Sequence, residues 1–191
     1  MNERIGLFGG TFDPPHLAHL IMAEEAKNAL NLDEVWFIPV HTPPHKQREN
    51  MISGEERLRL VEAAIEDNPG FRTSSVEIER GGPSYTIDTV RYFKQQAPEK
   101  EFYFLIGGDM ADQMDKWKDI EKLRRLVEFI FVNRPGYNGH KPSWLTQVEA
   151  PVMHVSSSMI RRRLRDGETV RYIVPDNVLK EIERKKLYGQ K

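Results

Sequence analysis

Five short apolar runs are spread along this chain, and the stretches between them carry apolar residues at helical spacing. The runs are Ile5 to Phe8, Val35 to Val40, Phe102 to Ile106, Phe129 to Val132 and Val152 to Val155. Unbroken apolar runs of this length read as buried strands. Between them, Ser53-Gly54-Glu55-Glu56 has capping-box spacing, with Leu58, Val61 and Ile65 following on one helix face. Ser84 to Gln96 sets Ile87, Val90 and Phe93 three residues apart, and Pro175 to Lys186 turns Val178, Leu179 and Ile182 inward, leaving its Lys and Arg side chains as a solvated face. This alternation argues for an α/β fold with a mainly parallel sheet. Arg72 to Glu79 reads as a weaker strand of alternating character. Pro135 to Pro151, rich in Pro, Gly and Asn, reads as a long loop.

A chain of 191 residues favours one domain over 1–191, and the expected appendage is a small helical subdomain over about 156–191. The formal net charge of −1 gives no global attraction to nucleic acid, so any anion binding must be local. With no cysteine, disulfide and thiolate chemistry are excluded, which fits a reducing compartment. Met1-Asn2-Glu3-Arg4 is not followed by a secretory apolar region, and no run approaches membrane-spanning length. The expectation is a cytoplasmic protein with no membrane partner.

In sheets of this type, ligands bind beyond the carboxyl ends of the strands, where strand order reverses. Gly9-Gly10-Thr11-Phe12 follows the first run, and Pro14-Pro15 precedes a helix expected to start near His16. The glycine pair lets the backbone turn tightly and approach a ligand. The helix start would offer free N–H groups and the positive end of a dipole. His16 and His19 lie one helical turn apart and can both donate to an anion there. A zinc site is the rival reading of two such histidines, although His-Glu-x-x-His and cysteine are both missing. Asp13 reads as a turn-capping residue or a partner of a metal ion's water shell, with the turn favoured. At the far end, Ser156, Ser157 and Ser158 mark a second helix start, with Arg161 one turn in, where its guanidinium could fork onto a phosphate. Further loops of this kind follow the other strands: His41 to Lys46, Gly107-Gly108-Asp109 and Asn133-Arg134-Pro135-Gly136.

The run from Gly9 to His19 together with Ser156 to Arg161 resembles the nucleotidyltransferase superfamily that carries a His-x-Gly-His motif and a C-terminal Ser-Ser-x-x-x-Arg motif. Pro43 to Lys46, Gly82-Pro83-Ser84-Tyr85-Thr86, Gly107-Gly108-Asp109 and Trp117 narrow the resemblance to the bacterial nicotinate-nucleotide adenylyltransferase family. One departure is Ala18, which stands where that family has glycine and brings a methyl group toward the expected phosphate site.

The resemblance implies a Rossmann-like, doubly wound sheet with helices on both faces. It also implies transfer of the adenylyl group of ATP to nicotinate mononucleotide, with pyrophosphate leaving. His16, His19 and Arg161 would be the catalytic groups. Gly9, Gly10, Thr11 and Phe12 would meet ATP phosphates, joined by Ser157, while Gly107, Asp109 and Arg134 would complete the ATP site. Lys46, Ser84, Tyr85, Thr86 and Trp117 would receive nicotinate mononucleotide, Trp117 by stacking. Because the attacking phosphate is already an anion, no general base is needed, and catalysis rests on positioning and charge stabilisation. Mg²⁺ is expected to arrive with ATP and not on a protein cage. Nicotinamide mononucleotide as substrate, a non-catalytic nucleotide-binding regulator and a zinc hydrolase stay open as alternatives. So does a homo-oligomer.

Overall fold

The run at Ile5 to Phe8 becomes an inner strand of a six-stranded sheet in the computed structural model, which describes residues 2–43, 51–133, 142–151 and 153–189. In chain order the elements are β1 (Arg4–Gly10), α1 (Leu17–Leu30), β2 (Glu34–Pro39), α2 (Gly54–Ile65), β3 (Phe71–Thr73), α3 (Val76–Arg80) and α4 (Thr86–Gln96). They continue as β4 (Glu101–Ile106), α5 (Gly108–Ala111), α6 (Ile120–Leu123), β5 (Glu128–Asn133), β6 (Thr146–Glu149), α7 (Ser157–Asp166) and α8 (Asp176–Lys185). A short 3₁₀ turn occupies Met114–Lys116, and a tight turn with Tyr188 at positive φ occupies Leu187–Gly189.

The strand order is β3-β2-β1-β4-β5-β6, and every neighbouring pair is parallel. The chain winds outward from β1 through β2 to β3, then returns to β4 on the other side. Strand order therefore reverses between β1 and β4, where a doubly wound sheet opens its ligand crevice.

Period-two alternation splits the strand residues between two cores. On one face Ile5, Leu7, Phe102, Phe104, Phe129 and Phe131 pack with Ile87, Val90 and Phe93 of α4 and Leu123 of α6. On the other, Phe8, Phe37, Leu105, Ile130 and Val132 pack with Met22, Ala23 and Ala26 of α1 and Val61 and Ile65 of α2. Each fully buried Ile, Leu or Phe here stabilises by about 1.5–3 kcal/mol. A third cluster joins Leu60 of α2 to Ile160 and Leu164 of α7, Val178 and Ile182 of α8, and Leu187. This cluster brings the C-terminal helices back over the sheet's carboxyl edge. Among the described residues, no helix is long and apolar enough to cross a membrane.

Three local expectations are corrected. The stretch Arg72 to Glu79 is a strand only over Phe71–Thr73; Val76–Arg80 is a helical turn, closed by the Glu79 N–H donating to the Ser75 carbonyl at 2.9 Å and the Gly81 N–H to the Glu77 carbonyl at 3.1 Å. The segment expected as a long loop contains edge strand β6, whose only buried residue is Val148. Conversely, Met153 to Val155 form no strand but lead irregularly into α7; Val152 lies outside the described residues. The capping box holds: the Ser53 Oγ accepts from the Glu56 N–H at 3.2 Å, and Glu56 Oε2 accepts from the Ser53 N–H at 3.3 Å.

Candidate active site

At the reversal point lies a cavity of about 370 Å³. Its floor is the end of β1 and the following turn, Gly9, Gly10, Thr11 and Phe12, with His16 and His19 beside them. Gly107 and Gly108 close it from the end of β4, Ser156, Ser157 and Ser158 from the start of α7, Glu77 from α3, and Ser84 and Thr86 from the entry to α4.

The glycine-rich floor is set by Phe12. Its backbone sits in the left-handed region at φ 50°, and its ring is buried edge-on against Phe8 (5.6 Å) and His19 (5.1 Å) and tilted on Phe37 (5.7 Å). A Cβ on Gly10 would stand 2.8 Å from the Phe12 ring, so glycine is required by contact there. Ala18, the departure from the family pattern, is 3% exposed and is absent from the residues lining the cavity. Its methyl group is packed inside the fold.

His16 is the N-cap of α1. Its ring is buried and stacks on that of His19, with centroids 3.7 Å apart and planes 21° from parallel. The His16 backbone N–H donates to His19 Nδ1 at 3.2 Å. That bond makes Nδ1 the acceptor and leaves Nε2 as the nitrogen that carries the proton in the neutral ring. The helix start is less open than expected: the Leu17 N–H donates to the Ile173 carbonyl at 3.1 Å, and the His19 N–H to the His16 carbonyl at 2.9 Å.

From the other side, Ser156 caps α7 by accepting from the Met159 N–H at 3.2 Å, and the Ser157 hydroxyl donates to the Pro14 carbonyl at 2.9 Å. Arg161 Nη1 donates to the Asp13 carbonyl at 2.5 Å and lies 3.6 Å from Asp13 Oδ2; Nη2 donates to the Ser158 hydroxyl at 3.1 Å. Asp13 is thus neither a turn cap nor an open metal partner, because its carboxylate is buried and faces Arg161.

Two charged residues not singled out from the sequence support the site, Glu77 in the cavity wall and Arg57 behind it. Arg57 of α2 is fully buried, donating from Nη1 to the Thr11 carbonyl at 3.0 Å, from Nη2 to the His41 carbonyl at 3.2 Å, and from Nε to the Ile52 carbonyl at 3.3 Å. Burial lowers its pKa, opposed by the negative charge of Asp13. Glu77, 5% exposed, accepts from the Thr89 hydroxyl at 2.6 Å, which in turn accepts from Arg80 Nη2 at 2.9 Å. Burial pushes its carboxyl above the usual range; the Thr89 and Ser84 hydroxyls and the charge of Arg80 act the other way. Leucine spacing in α2 gave no signal for Arg57, and Glu77 is hidden in a segment that reads as a strand.

The remaining expected residues divide. The Ser84 hydroxyl accepts from the His41 N–H at 2.9 Å, and Thr86 starts α4; both line the cavity. Tyr85, the N-cap of α4, has its ring 4.3 Å from Lys118 Nζ, outside the cavity wall. Trp117 is half-buried, edge-on to Phe104 and Phe129 at 6.0 and 5.9 Å, and also outside that wall. Lys46 and Arg134 lie outside the described residues, as does the side chain of Asp109, whose backbone lies in α5.

A parallel doubly wound sheet with a glycine turn, paired histidines and a serine-capped helix around one crevice defines a nucleotide-binding α/β protein of the nucleotidyltransferase type. Residues 7–163 match the model of the cytidylyltransferase-like family. A protein of Geobacillus kaustophilus named probable nicotinate-nucleotide adenylyltransferase is 50% identical over 186 residues, 97% of this chain and 86% of that one. One of Shouchella clausii with the same name is 50% identical over 187 residues, covering 98% and 97%. The fold is shared with a solved structure, Plasmodium falciparum nicotinic acid mononucleotide adenylyltransferase complexed with NaAD, at a TM-score of 0.80 and 20% identity, covering 100% of this chain and 99% of that one. The chain belongs to the cytidylyltransferase-like family and, within it, to the nicotinate-nucleotide adenylyltransferases.

Proposed function

We infer that this chain transfers the adenylyl group of ATP to nicotinate mononucleotide, giving nicotinate adenine dinucleotide and pyrophosphate in NAD biosynthesis. One observation carries the reading. Two helix starts, His16 at α1 and Ser156 at α7, meet across a glycine-floored cavity, in a chain half identical to proteins named for this reaction. The histidine rings at the first and the hydroxyls and backbone at the second would offer donors to a polyphosphate.

The phosphate oxygen of the mononucleotide attacks the α-phosphorus in line, the new P–O bond forming as the bond to pyrophosphate breaks. His16 and His19, with the backbone of Gly9 to Phe12, hold the triphosphate. Ser157 and Arg161 hold the departing end, Gly107 and Asp109 are assigned to the adenosine, and Arg134 is read as a further ATP contact. Ser84 and Thr86 of the cavity wall begin the mononucleotide side, Tyr85 and Trp117 would extend it from outside that wall, and Lys46 is read as its phosphate partner. Charge stabilisation by preorganised donors suits this chemistry, since the nucleophile is already ionised.

Among the described residues, no group of three or more His, Asp or Glu side chains is placed to hold a metal ion. Mg²⁺ carried in on the triphosphate with most of its water would neutralise phosphate charge there. Residues 156–191 act as a helical subdomain that brings Ser157 and Arg161 to the sheet, and the cysteine-free composition suits the cytoplasm.

The test is pyrophosphate release with ATP and either the acid or the amide mononucleotide. Release with the acid and little with the amide supports the reading. Preference for the amide would move the substrate, and ATP binding without release would point to a regulator.

A further inference from the structure

The turn at Leu187–Gly189, left-handed at Tyr188, reaches Asp13. Its Tyr188 hydroxyl donates to Asp13 Oδ1 at 2.8 Å, across 175 positions of sequence. Asp13 is 1% exposed, and its second oxygen, Oδ2, has no hydrogen-bond partner among the described residues. That oxygen lies 3.6 Å from Arg161 Nη1, so its tie to the guanidinium is charge on charge. A carboxylate this buried must be oriented and paired to persist as an ion. With Oδ1 held by the phenol, Oδ2 is turned toward Arg161.

Tyr188 occupies its place at a conformational cost. Its backbone lies in the left-handed region at φ 63°, which is sparsely populated by aromatic residues and persists only where the surroundings enforce it. Leu187 beside it is buried in the C-terminal core and anchors the turn. Burial and the facing carboxylate push the Tyr188 pKa upward, so the phenol stays a donor.

We propose that Tyr188 is a positioning residue for the phosphate clamp: it fixes the Asp13 carboxylate, which in turn holds Arg161 where a triphosphate meets it. This rests on Arg161 acting on phosphate as described above. Arg161 is then set at both ends, by the Asp13 carbonyl and carboxylate at Nη1 and by Ser158 at Nη2. A guanidinium held in this way presents its donors without first losing rotamer freedom, and that preorganisation acts on turnover more than on ground-state binding.

The experiment is a double-mutant cycle on the full chain, measuring kcat and KM for ATP in wild type, Tyr188→Phe, Arg161→Ala and the double variant. Tyr188→Phe keeps the ring and removes only the hydroxyl. It is expected to lower kcat about tenfold, with KM for ATP changed less than about twofold, and to cost less than about twofold in the Arg161→Ala background. Asp13→Asn, which keeps an acceptor for Tyr188 but removes the charge facing Arg161, goes through the same cycle and should show the same dependence on Arg161. Equal losses in both backgrounds, or wild-type kcat in Tyr188→Phe, would overturn the proposal. Wild-type turnover in Arg161→Ala would instead remove the clamp reading on which it stands.

Discussion

Nη1 of Arg57 donates to the Thr11 carbonyl at 3.0 Å, tying the interior of α2 to the turn that floors the cavity. The same guanidinium holds the His41 carbonyl beyond β2. Two of the loops that build the site are therefore fastened to one buried cation. Arg57→Met would fill similar space while leaving the Thr11, His41 and Ile52 carbonyls without their donor. The expected cost is about 2–4 kcal/mol of stability, read by urea unfolding, together with a raised KM for ATP. Unchanged stability and KM would show that the loops hold themselves.

Gly10→Ala tests the floor by contact. The added methyl must displace the Phe12 ring, which is packed against Phe8, Phe37 and His19. Overpacking of this kind costs about 1–3 kcal/mol. A lower Tm should come with slower turnover, since His19 is one of the rings that Phe12 rests on.

For His19→Ala the fold should survive, because the ring is only half-buried. Loss of a preorganised donor in a charge-stabilising site should lower turnover about a hundred- to thousandfold, or about 3–4 kcal/mol. Near wild-type turnover with an intact circular dichroism spectrum would remove His19 from the mechanism.

Glu77 gives the chain a pH signature. A carboxyl whose pKa is raised on folding supports the folded state while protonated and opposes it once ionised. Its contribution is whole below the ordinary glutamate value of 4.5 and is lost as pH rises through the higher folded value. Glu77→Gln cannot ionise, so the Tm of the variant minus that of wild type should grow as pH is raised from about 4.5 into the neutral range. A difference that stays flat with pH would mean that Glu77 remains ionised throughout.

How much of this was legible in the sequence depended on where burial falls. β1, β2, β4 and β5 are inner strands covered on both faces, so they had to be written as unbroken apolar runs, and they were read correctly. β6 is an edge strand of sequence Thr-Gln-Val-Glu with one buried side chain, and such a strand leaves no apolar run to find. β3, the other edge, is three residues long and shaded into a helical turn. In the site, the glycine turn, the histidine pair and the serine cap announce themselves because local backbone chemistry demands those residue types in that order. Arg57, Glu77 and Tyr188 do not, since each acquires its role only from carbonyls, hydroxyls and carboxylates that the fold delivers from distant positions. Asp13 was visible as part of a motif but misread as a turn residue for the same reason.

The contacts between Asp13–Pro14 and α7 span 143 and 148 positions of sequence. By residue 149 all six strands have been made. The strands are therefore synthesised before α7, and the cavity gains its Ser156 to Ser158 wall only when that helix docks. Substrate bound at that junction would bridge the earliest and latest parts of the chain, so ATP should protect the C-terminal helices from proteolysis more than it protects the sheet.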